Sequence, residues 1–228
     1  MYEELPGNAP EYDVEHVRPL AESPLAGKRI LFLGSSITFG YGSLDTSFVD
    51  YIARRNGNTF VKEAVSGTCL TDDASDSYVS RLHTVDTNEK FDLFVCQLSA
   101  NDFSKCKPRG QVEDREPTTV CGAVNHIVEY VRKTWGCPIV FYSVQCFGVE
   151  EYRETVDDLL QIAGLRHFDV IDLYNDAAFN QITDEQRALY MADGMHPTKA
   201  GYLLWWTPVI EPRLYAALRQ PLPPTEAD

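Results

Sequence analysis

The chain has 228 residues, a formal net charge of −14 and the apolar and charged fractions of an ordinary water-soluble globular protein. That length allows one largish domain or two small ones, with enough chain to build a core without covalent staples. The acidic balance argues against nucleic acid and anionic membrane surfaces, which attract clustered Lys and Arg, and no apolar run reaches the roughly 18 residues of a membrane span.

Residues 1–27 are rich in Pro and Glu and lack clear periodicity, so they read as an extended arm lying on the domain surface. They carry neither the basic start nor the apolar stretch of a secretion signal. Five short apolar runs follow: "RILFLG" (29–34), "TFVKEAV" (59–65), "FDLFVCQL" (91–98), "PIVFYSV" (138–144) and "FDVIDLY" (168–174). Most are continuous rather than alternating, as strands covered on both faces should be. Amphipathic segments near 44–56, 76–84, 118–135 and 150–165 separate them, and a last one runs over about 197–218. Strand–helix alternation of this kind predicts an α/β fold with a parallel sheet, right-handed crossovers and helices on both faces. The domain reads as 28–220 and the tail as 221–228. One long irregular insertion, 102–117, directly follows the third strand, and loops of that length commonly shape sites. Six cysteines, none in a C-x-x-C pair, give no zinc-type spacing and read as reduced thiols of a cytoplasmic protein.

In an open α/β sheet, ligands gather beyond the carboxyl ends of the strands. The first strand delivers Gly34-Ser35-Ser36-Ile37-Thr38 there, the second Ser66-Gly67-Thr68 and the third Ser99-Ala100-Asn101-Asp102. Taken alone, Ser36 reads as a helix cap or an anion-binding hydroxyl as readily as a nucleophile. Gly67 alone could be a turn glycine, and Asn101 alone a loop residue. The stretch "MADGMHPTKAGY", 191–202, changes that balance. Asp193 and His196 stand three apart, a spacing that puts both on one face of a turn or helix. A carboxylate beside an imidazole fixes its tautomer, and such a histidine can take a proton from a serine hydroxyl, which is otherwise a poor nucleophile at neutral pH. His16, His83, His126 and His167 have no partner at useful spacing.

"GSSIT", Gly67 after the second strand, "AND" and "DGMHP" together resemble the four signature blocks of the SGNH, or GDSL-type, serine hydrolases, in family order over roughly residues 25–215. The resemblance implies a three-layer α/β/α sandwich, flavodoxin-like, with a five-stranded parallel sheet in order 2-1-3-4-5. It implies Ser36 as nucleophile, His196 as general base and then acid, Asp193 as its orienting carboxylate, and an oxyanion hole from the Ser36 N–H, the Gly67 N–H and the Asn101 side-chain amide. Ser35 stands in place of the family's aspartate, and Ser99 in place of its usual glycine. With the fifth strand about 14 Å from the first, the segment 175–192 must cross back over the sheet top.

The resulting expectation is a serine esterase for small O-acyl esters, O-acetylated carbohydrates among them, with a small-molecule partner, no metal and no organic cofactor. Acyl transfer through the same residues is one alternative. A non-catalytic flavodoxin-like module holding phosphate or flavin on 34–38 is another. Lys105, Lys107 and Arg109 in the insertion could meet an anionic substrate or form a solvated loop face. A homo-oligomer, with the arm against a second subunit, is compatible with the sequence and not required by it.

Overall fold

The computed structural model describes residues 2–219; the tail expected at 221–228, and residue 220 before it, lie outside the described residues. Five strands, β1 (Arg29–Gly34), β2 (Thr59–Ala64), β3 (Leu93–Gln97), β4 (Ile139–Tyr142) and β5 (Asp169–Ile171), form one parallel sheet in the order β2-β1-β3-β4-β5. β1, β3 and β4 occupy the centre and are almost wholly buried, which is why their sequences are unbroken apolar runs. β2, at one edge, is half-buried and carries Lys62 and Glu63, charged residues of the kind that discourage edge pairing.

Among the described residues, ten α-helices surround the sheet: α1 (Ser36–Phe39), α2 (Phe48–Asn56), α3 (Tyr78–Leu82), α4 (Asn101–Ser104), α5 (Val120–Thr134), α6 (Glu150–Arg166), α7 (Ala177–Asn180), α8 (Asp184–Tyr190), α9 (Lys199–Gly201) and α10 (Thr207–Ala217). α5 packs against both α3 and α6, and α2 packs with α10. Their ends follow local chemistry. Ser47 and Asp50 close α2 with a reciprocal capping box, as Thr183 and Gln186 do for α8. Gly57, at φ +73°, ends α2 in the left-handed region that glycine adopts without strain.

The last amphipathic segment is not one regular helix. Tyr202–Trp206 is π-helical, with the Thr207 N–H donating to Tyr202 O five residues back. Pro208 follows and lacks the N–H that would reach Leu204 O, so regular α-bonding is broken just here. The widened turn buries Tyr202, Trp205 and Trp206. Trp206 stacks on Phe48 of α2, and the Tyr202 hydroxyl donates to Ile37 O at 2.7 Å, tying this helix to the start of α1.

The arm lies on the domain surface, and over 2–16 it forms four single 3₁₀ turns, Tyr2–Glu4, Pro6–Asn8, Pro10–Tyr12 and Val14–His16, joined by the extended residues Leu5, Ala9 and Asp13. Prolines begin the second and third turns, where a fixed φ and a missing N–H cost nothing. The arm is fastened to its own domain: the Tyr51 hydroxyl donates to Tyr12 O at 2.7 Å, and Lys199 pairs with Asp13 at 2.5 Å. No described helix is long and apolar enough to cross a membrane.

Candidate active site

β1 ends at Gly34, and Ser36 opens α1 immediately beyond it. As the first residue of a helix, Ser36 has an N–H without an intrahelical acceptor. The base of this turn is a buried polar network. Gln97, the last residue of β3, accepts through Oε1 from the Ser35 N–H at 3.1 Å, the Thr38 N–H at 3.3 Å and Thr38 Oγ1 at 2.9 Å. Its Nε2 donates to Ser35 Oγ at 3.2 Å, and the Thr38 hydroxyl also meets the Tyr142 hydroxyl at 2.6 Å. Ser35, in the place of the expected aspartate, thus serves the support beneath Ser36. Thr38 is part of that same support.

Arg81, buried on α3, holds the neighbouring strand ends. It donates to Glu63 O at 2.7 Å, Gly34 O at 2.8 Å and Thr68 Oγ1 at 3.2 Å. Gly67 sits between those anchors at φ +79°, a conformation that favours glycine. Asn101 opens α4 and donates through Nδ2 to Thr68 O at 2.9 Å, leaving its second amide proton for another acceptor. Ser99 Oγ accepts from the Asn101 N–H at 3.1 Å, so the serine in place of glycine caps this turn. Asp102, almost fully buried, accepts from the Leu70 and Thr71 N–H groups at 2.7 and 3.0 Å, fixing the loop after β2 against that after β3.

The segment after β5 crosses back over the sheet through α7 and α8, as the strand order demands. It ends in a small antiparallel bridge between Met191 and Pro197. Pro197 belongs to that bridge; Thr198 caps the next helix, which begins at Lys199. The turn held by the bridge carries Asp193 and His196, and Gln145 from the loop after β4 donates to Met195 O at 2.6 Å. His196 Nε2 lies 2.9 Å from Ser36 Oγ, and His196 Nδ1 lies 2.8 Å from Asp193 Oδ2. Asp193 Oδ1 also accepts the Met195 and His196 N–H groups at 2.8 and 2.7 Å.

Desolvation works to raise the Asp193 carboxyl. The hydrogen bonds from His196 Nδ1, the Met195 and His196 N–H groups and Tyr2 outweigh it and hold the group at about 2. The carboxylate is therefore an anion at any ordinary pH. A hydroxyl, an imidazole and a fixed anion in line can pass a proton from the oxygen to the ring and stabilise the imidazolium that results.

Sequence reasoning brought Ser36, Asp193 and His196 together, and it listed Gly67 and Asn101 on neighbouring loops. It missed Tyr2, whose hydroxyl donates to Asp193 Oδ2 at 2.8 Å, and Tyr41, whose ring centroid is 5.0 Å from that of His196. No local pattern marks either. Gln97 did leave a signal, a polar residue closing a buried apolar strand. The basic residues of the insertion are all engaged: Lys105 with Gly67 O, Lys107 with Asp73, Arg109 with Glu154 and Asp158, and Arg115 with Glu129. Between that insertion and α6 lies a cavity of about 430 Å³, lined in part by Ser99, Phe103, Cys106, Arg109, Glu151 and Tyr152. His83 and His126, expected to stand apart, meet Nε2 to Nε2 at 3.1 Å away from these residues. All six cysteines are free thiols, and burial pushes Cys69, near Gly67, up to about 11.

Residues 32–204 match the model of the GDSL-like lipase/acylhydrolase family. The chain belongs to that family. Its members' class of chemistry, ester hydrolysis, is the chemistry of this chain. The fold is shared with solved structures of low identity. A Lactobacillus plantarum protein is 22% identical with a TM-score of 0.70, over 84% of this chain and 96% of that one. A GDSL-like protein from Bacteroides ovatus is 16% identical with a TM-score of 0.63, over 84% and 99% of the two chains. A variant of Axe2, an acetyl-xylooligosaccharide esterase from Geobacillus, is 17% identical with a TM-score of 0.59, over 88% and 98%. No curated protein matches the chain.

Proposed function

We propose that this GDSL-family hydrolase is a serine esterase for small O-acyl esters, working through an acyl-enzyme on Ser36. The observation that carries the reading is the unbroken line Ser36 Oγ, His196 Nε2, His196 Nδ1, Asp193 Oδ2, with contacts of 2.9 and 2.8 Å. Ser36 Oγ attacks the ester carbonyl carbon as its proton passes to His196 Nε2. The carbonyl oxygen becomes an oxyanion facing the Ser36 N–H, the Gly67 N–H and the free proton of the Asn101 amide. Collapse breaks the bond to the alcohol, which leaves with the proton from His196. Water then attacks the acyl group with His196 as base, and the acid departs from Ser36.

Acetylated carbohydrate is the substrate class we favour. The support is the likeness to an esterase that acts on acetyl-xylooligosaccharide. A phosphate- or flavin-holding role for 34–38 has no use for the Asp193–His196 pair.

Ser36→Ala tests the mechanism: it abolishes hydrolysis of p-nitrophenyl acetate while the melting transition persists, and retained turnover would remove Ser36 from the chemistry. A screen of acetylated sugars against longer acyl esters tests the substrate class. A preference for acyl chains of eight carbons or more would defeat it.

A further inference from the structure

The Asp193 carboxylate has more donors than a serine–histidine relay requires. Oδ1 is taken by the Met195 and His196 N–H groups, at 2.8 and 2.7 Å. Oδ2 receives His196 Nδ1 at 2.8 Å and also the Tyr2 phenol at 2.8 Å, from 191 residues away in sequence. With the Asp193 side chain 36% exposed, that second place at Oδ2 would otherwise be open to exchanging water.

The arm is built to deliver this hydroxyl. Asn8, buried, donates through Nδ2 to Tyr2 O at 2.8 Å and to Gly42 O at 2.9 Å. Its Oδ1 accepts the Lys199 N–H at 2.9 Å, three residues beyond His196. One amide side chain thus ties the first turn of the arm to both segments that flank the imidazole. The Tyr2 ring stands edge-on to Tyr41 at 5.5 Å, and Tyr41 in turn packs on the His196 ring. The Tyr2 hydroxyl and the Tyr2 ring reach the dyad by separate routes. The hydrogen bond to Asp193, with burial second, pushes the phenol up to about 12, so it remains a donor throughout the neutral range.

We propose that Tyr2 is a positioning residue of the active site, its phenol fixing Asp193 Oδ2 so that the carboxylate stays aligned with His196 Nδ1. This rests on the Ser36–His196–Asp193 reading. Oδ1 is fixed by two backbone amides, and Tyr2 is the donor that fixes the other oxygen from outside the turn. The arm, on this view, is part of the catalytic apparatus.

The test uses Tyr2→Phe in the full chain, which keeps the ring against Tyr41 and removes only the oxygen. With p-nitrophenyl acetate, kcat should fall about tenfold, the effect of one charged hydrogen bond, with KM unchanged. The same change made in Asp193→Asn should cause no further fall in the rate at which a fluorophosphonate labels Ser36, because the hydroxyl acts through that carboxylate. Wild-type kcat and KM in Tyr2→Phe, beside an inactive Ser36→Ala, would overturn the role of Tyr2 alone. So would an equal, additive loss in the Asp193→Asn background. Retained turnover by Ser36→Ala would overturn both the mechanism and this inference.

Discussion

Gly42 and His196 pack so closely that a Cβ on Gly42 would lie 2.8 Å from His196 Cβ, and equally close to Pro197 O. A backbone oxygen cannot swing aside as a flexible side chain can. Gly42→Ala should therefore displace the turn that carries the imidazole. A shift approaching 1 Å costs catalysis on the order of 10²-fold, whereas overpacking costs about 1–3 kcal/mol of stability. Steady-state kinetics and thermal melting on one preparation separate the two, and full activity in a stable variant would show that the turn has room to spare.

Asn101 offers a second, distant handle on the same chemistry. One amide proton is bound to Thr68 O and the other is available. Asn101→Ala should lower kcat by about 10²–10³, as loss of one oxyanion donor does, with little change in KM. A variant that instead raises KM at constant kcat would assign Asn101 to ground-state binding.

Gln97 links the fold to the site. Replacing it by Leu keeps a side chain of similar bulk but leaves the Ser35 and Thr38 N–H groups facing an apolar surface. Each stranded donor costs about 1–3 kcal/mol, and a chain of this size loses roughly 2–4 °C of melting temperature per kcal/mol. Calorimetry should show the fall, and the rate should drop with it because Ser36 stands on this network. Unchanged melting would mean that the turn finds other acceptors.

The pH dependence of stability follows from Asp193. Its native carboxyl is held at about 2, below the ordinary value near 3.9. A depressed group of this kind stabilises the fold above its unfolded value and loses that contribution as pH falls through the native one. The melting temperatures of wild type and Asp193→Asn should therefore differ above pH ~4 and converge toward pH ~2. The partial exposure of the carboxylate keeps the difference small. A gap that widens on acidification would contradict the assignment.

The sheet was legible because its central strands are buried on both faces and so appear as unbroken apolar runs. Their order was not legible in that pattern and came with the family resemblance. Ser36, Asp193 and His196 were readable because proton relay needs those residue types and a three-residue spacing is visible in one dimension. Tyr2, Tyr41 and Asn8 were not, since each gains its meaning only from a partner brought beside it by folding. The π-helical turn at 202–206 hid behind an ordinary amphipathic pattern; Pro208 was its only trace. Of the 3₁₀ turns within the arm, the sequence carries one trace, the prolines four apart (Pro6 and Pro10).

The cluster around Asp193 draws on the first turn of the arm, the end of β1 and the segment after α8. Ser36 and His196 meet across 160 positions, and Tyr2 and Asp193 across 191. Contacts of such long range form slowly, because a large loop must close before they give anything back. In a refolding experiment, the return of turnover should lag the return of helical ellipticity. Ester cleavage then becomes a clock for the moment when the first turn of the arm and the turn after α8 finally dock.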